Sequence, residues 1–239
     1  MRAKNSFFRF KQFTIQQAQS AMKVCTDSCL LGAVATPALH GSILDIGTGT
    51  GLLSLMLAQK TNTAIITAIE IDAGASQEAA ANFSGSPWSG RLQVLHTSFQ
   101  DYVKTCDARF DFIISNPPFF EDNLLSGNHH KDLALHSTAL SLAELASGVA
   151  ALLSSHGCFT YMLPVYESSV LLGHLEQYGI FAYRIDTVYH REGNKPLRDI
   201  VHCGFAKKEA KRGPIIIRDA QNQYTGKFRE LMAPYYLIF

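Results

Sequence analysis

With 239 residues, 47% hydrophobic and 17% charged, the chain has the length and composition of one good-sized folded core. No run approaches the roughly 18 apolar residues of a membrane span, and the basic start Met1–Phe10 lacks the apolar core of a secretory signal, so a cytoplasmic protein without a membrane is expected. Five scattered cysteines (Cys25, Cys29, Cys106, Cys158 and Cys203) suit free thiols in a reducing compartment, and Cys25 and Cys29 have no second ligand pair, so no metal is expected.

The formal net charge is only +1, yet it is unevenly spread. Met1–Lys23 carries Arg2, Lys4, Arg9, Lys11 and Lys23 and no acid. Arg191–Arg212 carries seven basic residues against Glu192, Asp199 and Glu209. Two basic segments on an acidic body point to a polyanionic partner.

In chain order, Phe7–Ile15 partly alternates apolar and polar residues, as a strand or hairpin with one wet face does. Thr26-Asp27-Ser28 offers N-cap oxygens for a short helix over Cys29–Ala35, which ends before Pro37. From Ile43 the pattern alternates: a strand over Ile43–Ile46, a helix near Leu52–Gln59, a strand over Ala64–Ile69 and a helix near Ala73–Phe83. Leu92–His96 is the third strand and Phe110–Ser115 the fourth. A strong helix over Leu140–Leu153, a fifth strand over Gly157–Leu163 and a helix over Val165–Tyr178 follow. Such alternation predicts a parallel sheet with helices on both faces. Ala182–Tyr189 and Asp199–Ala206 have no room for a helix between them, so they pair as an antiparallel hairpin. Ile215–Ile217 is a candidate edge strand, and Thr225–Met232 a last helix before Pro234. The expected organisation is an N-terminal extension, residues 1–40, packed on a catalytic domain of residues 41–239. Its fold class is α/β: a Rossmann-like, mostly parallel seven-stranded sheet with a C-terminal antiparallel hairpin.

Three stretches carry the chemistry. The first strand runs into Asp45-Ile46-Gly47-Thr48-Gly49-Thr50-Gly51 and then a helix. Strand, glycine turn and helix bring backbone against a ligand at a helix N-terminus. The second strand ends in Glu70-Ile71-Asp72. An acid about twenty residues past the glycines suits a pair of ribose hydroxyls, because a carboxylate accepts two hydrogen bonds. Both NAD and S-adenosylmethionine meet that description; Gly-x-Gly-x-Gly preceded by Asp45 favours the latter.

The third stretch, Asn116-Pro117-Pro118-Phe119, follows the fourth strand. An exocyclic amine is a poor nucleophile because its lone pair is delocalised, so a site that methylates it must draw both N–H groups to acceptors. Asn116 supplies a side-chain oxygen and Pro117 a backbone carbonyl, and neither proline has a competing N–H. Phe119 can stack on a planar base. Such a site works by positioning, with no metal or covalent enzyme intermediate. His129-His130, in the following loop, reads as a solvent-exposed pair.

Asp45–Gly51, Glu70 and Asn116–Phe119 resemble class I S-adenosylmethionine-dependent methyltransferases that act on amino groups. Phe10-Lys11-Gln12-Phe13, Met22–Gly32 (Met-Lys-Val-Cys-Thr-Asp-Ser-Cys-Leu-Leu-Gly), Lys195-Pro196-Leu197-Arg198 and the closing Tyr224–Leu237 are similar, over nearly the whole chain, to bacterial tRNA(Val) adenine-N6 methyltransferases. The resemblance implies methylation of the adenosine just 3′ of the anticodon, with tRNA (anticodon loop) as partner, no obligatory protein partner, and S-adenosyl-L-homocysteine as product. It implies cofactor contacts from Asp45, Gly47, Thr48, Gly49, Gly51, Glu70, Ile71, Phe99 and Asn116, and a catalytic set of Asn116, Pro117 and Phe119. The chain departs from the family at Cys25, where glycine is typical, and at Ser98, where an acid usually holds the cofactor adenine. Backbone contacts from Phe99, or a role for Asp101, are expected instead.

Release-factor glutamine methyltransferases also use Asn-Pro-Pro, but usually with Tyr and after a helical domain for which Met1–Gly41 is too short. Guanine-N2 methyltransferases of ribosomal RNA often carry a duplicated domain that is absent here. A cofactor-binding module without catalysis would lack the intact Asn116–Phe119 turn. Finally, Arg9, Lys11, Arg191, Lys195 and Arg198 are expected to form one electropositive rim for RNA phosphates near Asn116–Phe119.

Overall fold

The computed structural model describes residues 6–20, 23–117 and 140–239. Pro118, Phe119, His129 and His130 lie outside the described residues, as do Arg2, Lys4 and Met22.

The partly alternating N-terminal run forms a two-stranded antiparallel hairpin, β1 (Phe7–Arg9) and β2 (Thr14–Gln16). Phe10 and Phe13 stack at 4.5 Å between ring centroids in its turn, and Phe13 meets the edge of Trp88 at 5.9 Å. Helix α1 (Thr26–Val34) follows. It begins earlier than expected: its N-cap is Cys25, with no side-chain capping bond, and Thr26, Asp27 and Ser28 fill its first turn. Two of those three oxygens are used elsewhere, as described below.

The alternating part is β3 (Ser42–Ile46), α2 (Leu52–Lys60), β4 (Ile65–Glu70), α3 (Ala73–Ser84), β5 (Leu92–His96), α4 (Phe99–Thr105) and β6 (Phe110–Ser115). It continues through α5 (Leu142–Leu152), β7 (Leu153–Leu163), α6 (Val165–Gln177), β8 (Phe181–Arg191), β9 (Arg198–Gly204), β10 (Lys211–Arg218) and α7 (Gly226–Met232). The main sheet has the order β10-β8-β9-β7-β6-β3-β4-β5. It therefore holds eight strands rather than seven. The extra one is β10, which pairs in parallel with β8 well beyond Ile215–Ile217. Its Pro214 is tolerated because β10 is an edge strand.

β3 to β7 pair in parallel, and β9 runs against both its neighbours, β7 and β8. All strands of this sheet except β9 thus point the same way, and the turns after β3, β4 and β6 share one edge. Period-two side-chain alternation divides the core between the two faces. Ile43, Phe112, Ile114 and Ile200 pack with α1, α2 and α7, whereas Leu44, Ile113 and Val201 pack with α5 and α6.

Helix α1 lies along α2. A Cβ on Gly32 would stand 2.6 Å from Met56 Sδ, so the close approach depends on that glycine. At the far end, Lys60 Nζ in the last turn of α2 donates to Ala33 O and Ala35 O at 2.5 and 2.7 Å. Burial there pulls the Lys60 ammonium down to about 8. Among the described residues no helix is long and apolar enough to cross a membrane.

Candidate active site

The glycine turn needs backbone that side chains resist. Gly47, Gly49 and Gly51 have φ of +70°, +57° and +85°, values in the left-handed region. The reasons for glycine differ. A Cβ on Gly51 would lie 2.5 Å from the Phe83 ring, whereas a Cβ on Gly47 or Gly49 would meet nothing within 4 Å. Gly51 is therefore a packing glycine, and Gly47 and Gly49 border open space that a ligand can enter.

Asp45 welds this turn to α2. Its Oδ2 accepts from Thr48 Oγ1 at 2.6 Å, Ser54 Oγ at 2.7 Å and Ser54 N at 3.2 Å. Its Oδ1 is buried without a partner among the described residues. Burial raises the Asp45 carboxyl to about 6, against the lowering effect of those bonds, with a smaller push from the neighbouring Glu70 charge.

Glu70 ends β4 facing the turn. Gly49 N donates to its Oε2 at 2.8 Å and Asp72 N to its Oε1 at 2.9 Å. Each oxygen keeps a further acceptor site. Asp72 caps α3 by accepting from Ala75 N at 2.7 Å. Between them Ile71 is exposed, and its carbonyl meets His96 Nε2 at 3.0 Å.

Phe99 is a core residue, packed so closely on α5 that a Cβ on Gly148 would stand 2.4 Å from its ring. Only its backbone is available to a ligand. Ser98 caps α4: it accepts from Asp101 N at 3.0 Å and donates to Asp101 Oδ2 at 2.8 Å, while Lys104 donates to Asp101 Oδ1 at 2.9 Å. Asp101 is exposed and held within its own helix turn, a role the missing acid at Ser98 does not announce.

Asn116 stands at the end of β6, with Pro117 buried behind it. Its Nδ2 donates to Ser28 Oγ of α1 at 3.0 Å, and its Oδ1 is buried with no partner among the described residues. Ser28 was not singled out by the sequence, where Thr26–Ser28 reads only as a capping run.

The expected basic rim divides. Arg191 and Arg198 flank the β8–β9 turn, on the strand edge that carries Asn116, with Lys195 exposed in the turn. Arg198 Nε pairs with Asp27 Oδ2 at 2.6 Å, and Arg191 Nη2 donates to Asn222 Oδ1 at 2.6 Å. Lys11 lies elsewhere. Its Nζ donates to Ala233 O and Phe239 O, both at 2.7 Å, and Gln59 in the last turn of α2 holds the adjacent Pro234 O. Lys11 thus hangs on the segment that Gln59 holds at the C-terminal end of α2, a helix that starts at the glycine turn and runs nine residues, about 13 Å. Arg9 shares with Lys11 a groove of about 770 Å³ that also includes Gly85 and Pro87, beyond the C-terminus of α3. The hairpin itself reaches the glycine turn: Asn82 of α3 accepts from Gln16 N at 2.8 Å and donates to Gln16 O at 3.0 Å and to Thr50 O at 2.8 Å, so β2 is tied to that turn while Lys11 is tied to the chain's closing segment.

A parallel sheet bearing a glycine cradle after β3, a carboxylate after β4 and an unpartnered amide oxygen after β6 defines a Rossmann-like methyltransferase. The chain matches the methyltransferase small domain family over residues 17–142. It is 42% identical over 236 residues to a tRNA1(Val) (adenine(37)-N6)-methyltransferase of Cytophaga hutchinsonii, covering 98% of each chain. It is 40% identical over 242 residues to the protein of that name from Dyadobacter fermentans, covering 99% of each. A predicted O-methyltransferase from Agrobacterium tumefaciens shares the fold, with a TM-score of 0.67 at 18% identity, over 87% of this chain and 96% of that one. The chain belongs to the family of tRNA1(Val) (adenine(37)-N6)-methyltransferases.

Proposed function

We propose that this chain is an S-adenosylmethionine-dependent methyltransferase of the exocyclic N6 of adenine in tRNA. Its target is the adenosine just 3′ of the anticodon, position 37 in the relatives' names, in tRNA(Val). The observation that carries this reading is the Asn116 amide, whose Oδ1 is buried at the carboxyl end of β6 and unpartnered among the described residues. A buried acceptor without a donor costs roughly 1–3 kcal/mol, so such an oxygen is best explained by a ligand N–H that fills it.

S-adenosylmethionine, when bound, supplies a methyl group on a cationic sulfur. The residues present fit it. Gly47 and Gly49 leave open space along the turn, Glu70 retains acceptor capacity for ribose hydroxyls, and the free Asp45 Oδ1 faces no protein donor. Thr48 and Gly51 shape the turn, and Ile71 and the Phe99 backbone flank the place for a base. Asn116 Oδ1 and the Pro117 carbonyl accept the two N–H groups of the adenine amine and leave its lone pair facing the methyl. Phe119, outside the described residues, has the ring that the expected stacking on the base needs. Holding the reactants in line supplies most of the rate, as positioning does when no covalent step is involved. The first forty residues serve this site as a packed extension, since α1 supplies the partner of Asn116.

The test is mass spectrometry of unmodified tRNA, ribosomal RNA and a release factor after incubation with the protein and isotope-labelled cofactor. Label on an adenine N6 of the anticodon loop is the expected result. Label on guanine N2 or on a glutamine side chain, with none on tRNA, would replace this assignment by one of the other Asn-Pro-Pro activities.

A further inference from the structure

An acceptor works only if it faces the substrate. A primary amide has two ends of similar size, and in the other rotamer Asn116 would aim Nδ2 at an amine that needs an acceptor. Something must choose between them. Asn116 Nδ2 donates to Ser28 Oγ at 3.0 Å. A hydroxyl alone does not choose, because it can donate or accept. Its proton, however, has another acceptor within reach: Cys25 Sγ lies 3.3 Å from Ser28 Oγ, one helical turn earlier, in a contact that either group can donate. With the hydroxyl proton directed to that sulfur, the Ser28 lone pairs face Asn116 and favour its N–H end. The turn that carries Ser28 is itself held. Asp27, the preceding residue, pairs with Arg198 at 2.6 Å, and Arg198 opens β9, which lies next to β7 and one strand further from β6. Asn116 and the first turn of α1 are thus fixed to one sheet from two sides.

We infer that Ser28 is a positioning residue, which sets the orientation of the Asn116 amide so that Oδ1 faces the target amine. The inference rests on the reading of Asn116 as the amine's acceptor. Loss of the Ser28 hydroxyl leaves the packing of α1 intact and frees the amide to rotate. Ser28→Ala is expected to lower kcat roughly tenfold, the factor that about 1.4 kcal/mol represents, with the KM for tRNA, the Kd for S-adenosylmethionine and Tm unchanged. Ser28→Thr, which restores a hydroxyl, should recover most of the rate. In an Asn116→Asp background, where either carboxylate rotamer presents an oxygen, Ser28→Ala should add no further loss in single-turnover rate.

Three results would overturn the inference: a wild-type kcat for Ser28→Ala, a loss of kcat that tracks falls in Tm and cofactor affinity, or the same tenfold loss in the Asn116→Asp background. Asn116→Ala measured in the same series separates the two levels. If Asn116→Ala is itself at full speed, the acceptor reading fails; if it is slow while Ser28→Ala is fast, only the role of Ser28 fails.

Discussion

The two ends of the sheet treat polar groups in opposite ways. At the edge formed by the turns after β3, β4 and β6, oxygens are held but not used up: among the described residues Asp45 Oδ1 and Asn116 Oδ1 are buried without partners, and Glu70 takes one backbone donor on each oxygen. At the other end, cations are consumed by the fold. Lys60 caps α1, and Lys11 ties the N-terminal hairpin to Ala233 and Phe239. Arg91 gathers the carbonyls of Ala58, Thr61 and Ala64. Buried polar groups in native proteins are normally paired; the far end also keeps one unpaired acceptor, Gln59 Oε1, so it is the gathering of several spare oxygens around one glycine turn that marks the candidate site.

The sharpest way to break this contrast is Asn116→Ala. If Oδ1 is a transition-state acceptor, kcat should fall at least ~10²-fold, as on loss of one catalytic hydrogen bond, with cofactor affinity little changed. Calorimetry and steady-state kinetics on the same sample check both halves. An enzyme at full speed would move the acceptor elsewhere.

Asp45 offers a second test, through stability. Its folded value of about 6 lies above the ordinary 3.8, so the folded chain favours the neutral acid. The resulting stabilisation is fully present below about pH 4 and lost as pH rises through about 6, a change on the order of 3 kcal/mol. Urea unfolding of wild type and Asp45→Asn should show a gap between the two that shifts against wild type over that window. A pH-independent gap would mean that the Asp45 carboxylate is not held in a dry site.

Much of the acceptor edge was legible in the chain. Glycines at alternate positions after Ile43–Ile46, an acid at Glu70 and Asn116-Pro117 after a strand are local patterns, and local backbone chemistry fixes where they sit. β5 and β6 have the expected bounds. What was not legible depends on contacts between distant residues. Ser28 meets Asn116 across 88 residues, and Arg198 meets Asp27 across 171. The short α4 was missed because seven residues behind a Ser98 cap carry too little periodicity. The partners of the basic residues are not legible either, because charge in a linear segment does not say that Lys11 meets Ala233 and Phe239 or that Arg198 meets Asp27.

Glu70→Ala is expected to weaken S-adenosylmethionine binding by about 2–3 kcal/mol, the worth of charge-assisted bonds to the ribose. It should also lower Tm, because Gly49 N and Asp72 N lose their acceptor. Unchanged affinity in calorimetry alongside a lowered Tm would leave Glu70 only a brace for the turn.

The smallest expected effects concern RNA, and they separate the two ends most directly. Phosphate contacts position a nucleic acid, and each contact made by a cation adds to the salt dependence of binding. Arg198 is charge-paired with Asp27 and has little to offer a phosphate, but Arg191 shares only a neutral amide with Asn222 and keeps its charge. Lys195 is exposed in the same turn, on the edge where the target base must arrive. Reversing both, Arg191→Glu with Lys195→Glu, should flatten the plot of log affinity against log salt by about 1.4, at roughly 0.7 per contact for single-stranded RNA. Cofactor affinity should not change. The matching pair Arg9→Glu with Lys11→Glu, on the N-terminal hairpin, should leave the salt slope alone and lower Tm through the lost ties to Ala233 and Phe239. Filter binding across a salt series distinguishes these outcomes. If the N-terminal pair flattens the slope instead, the hairpin is part of the RNA-binding surface.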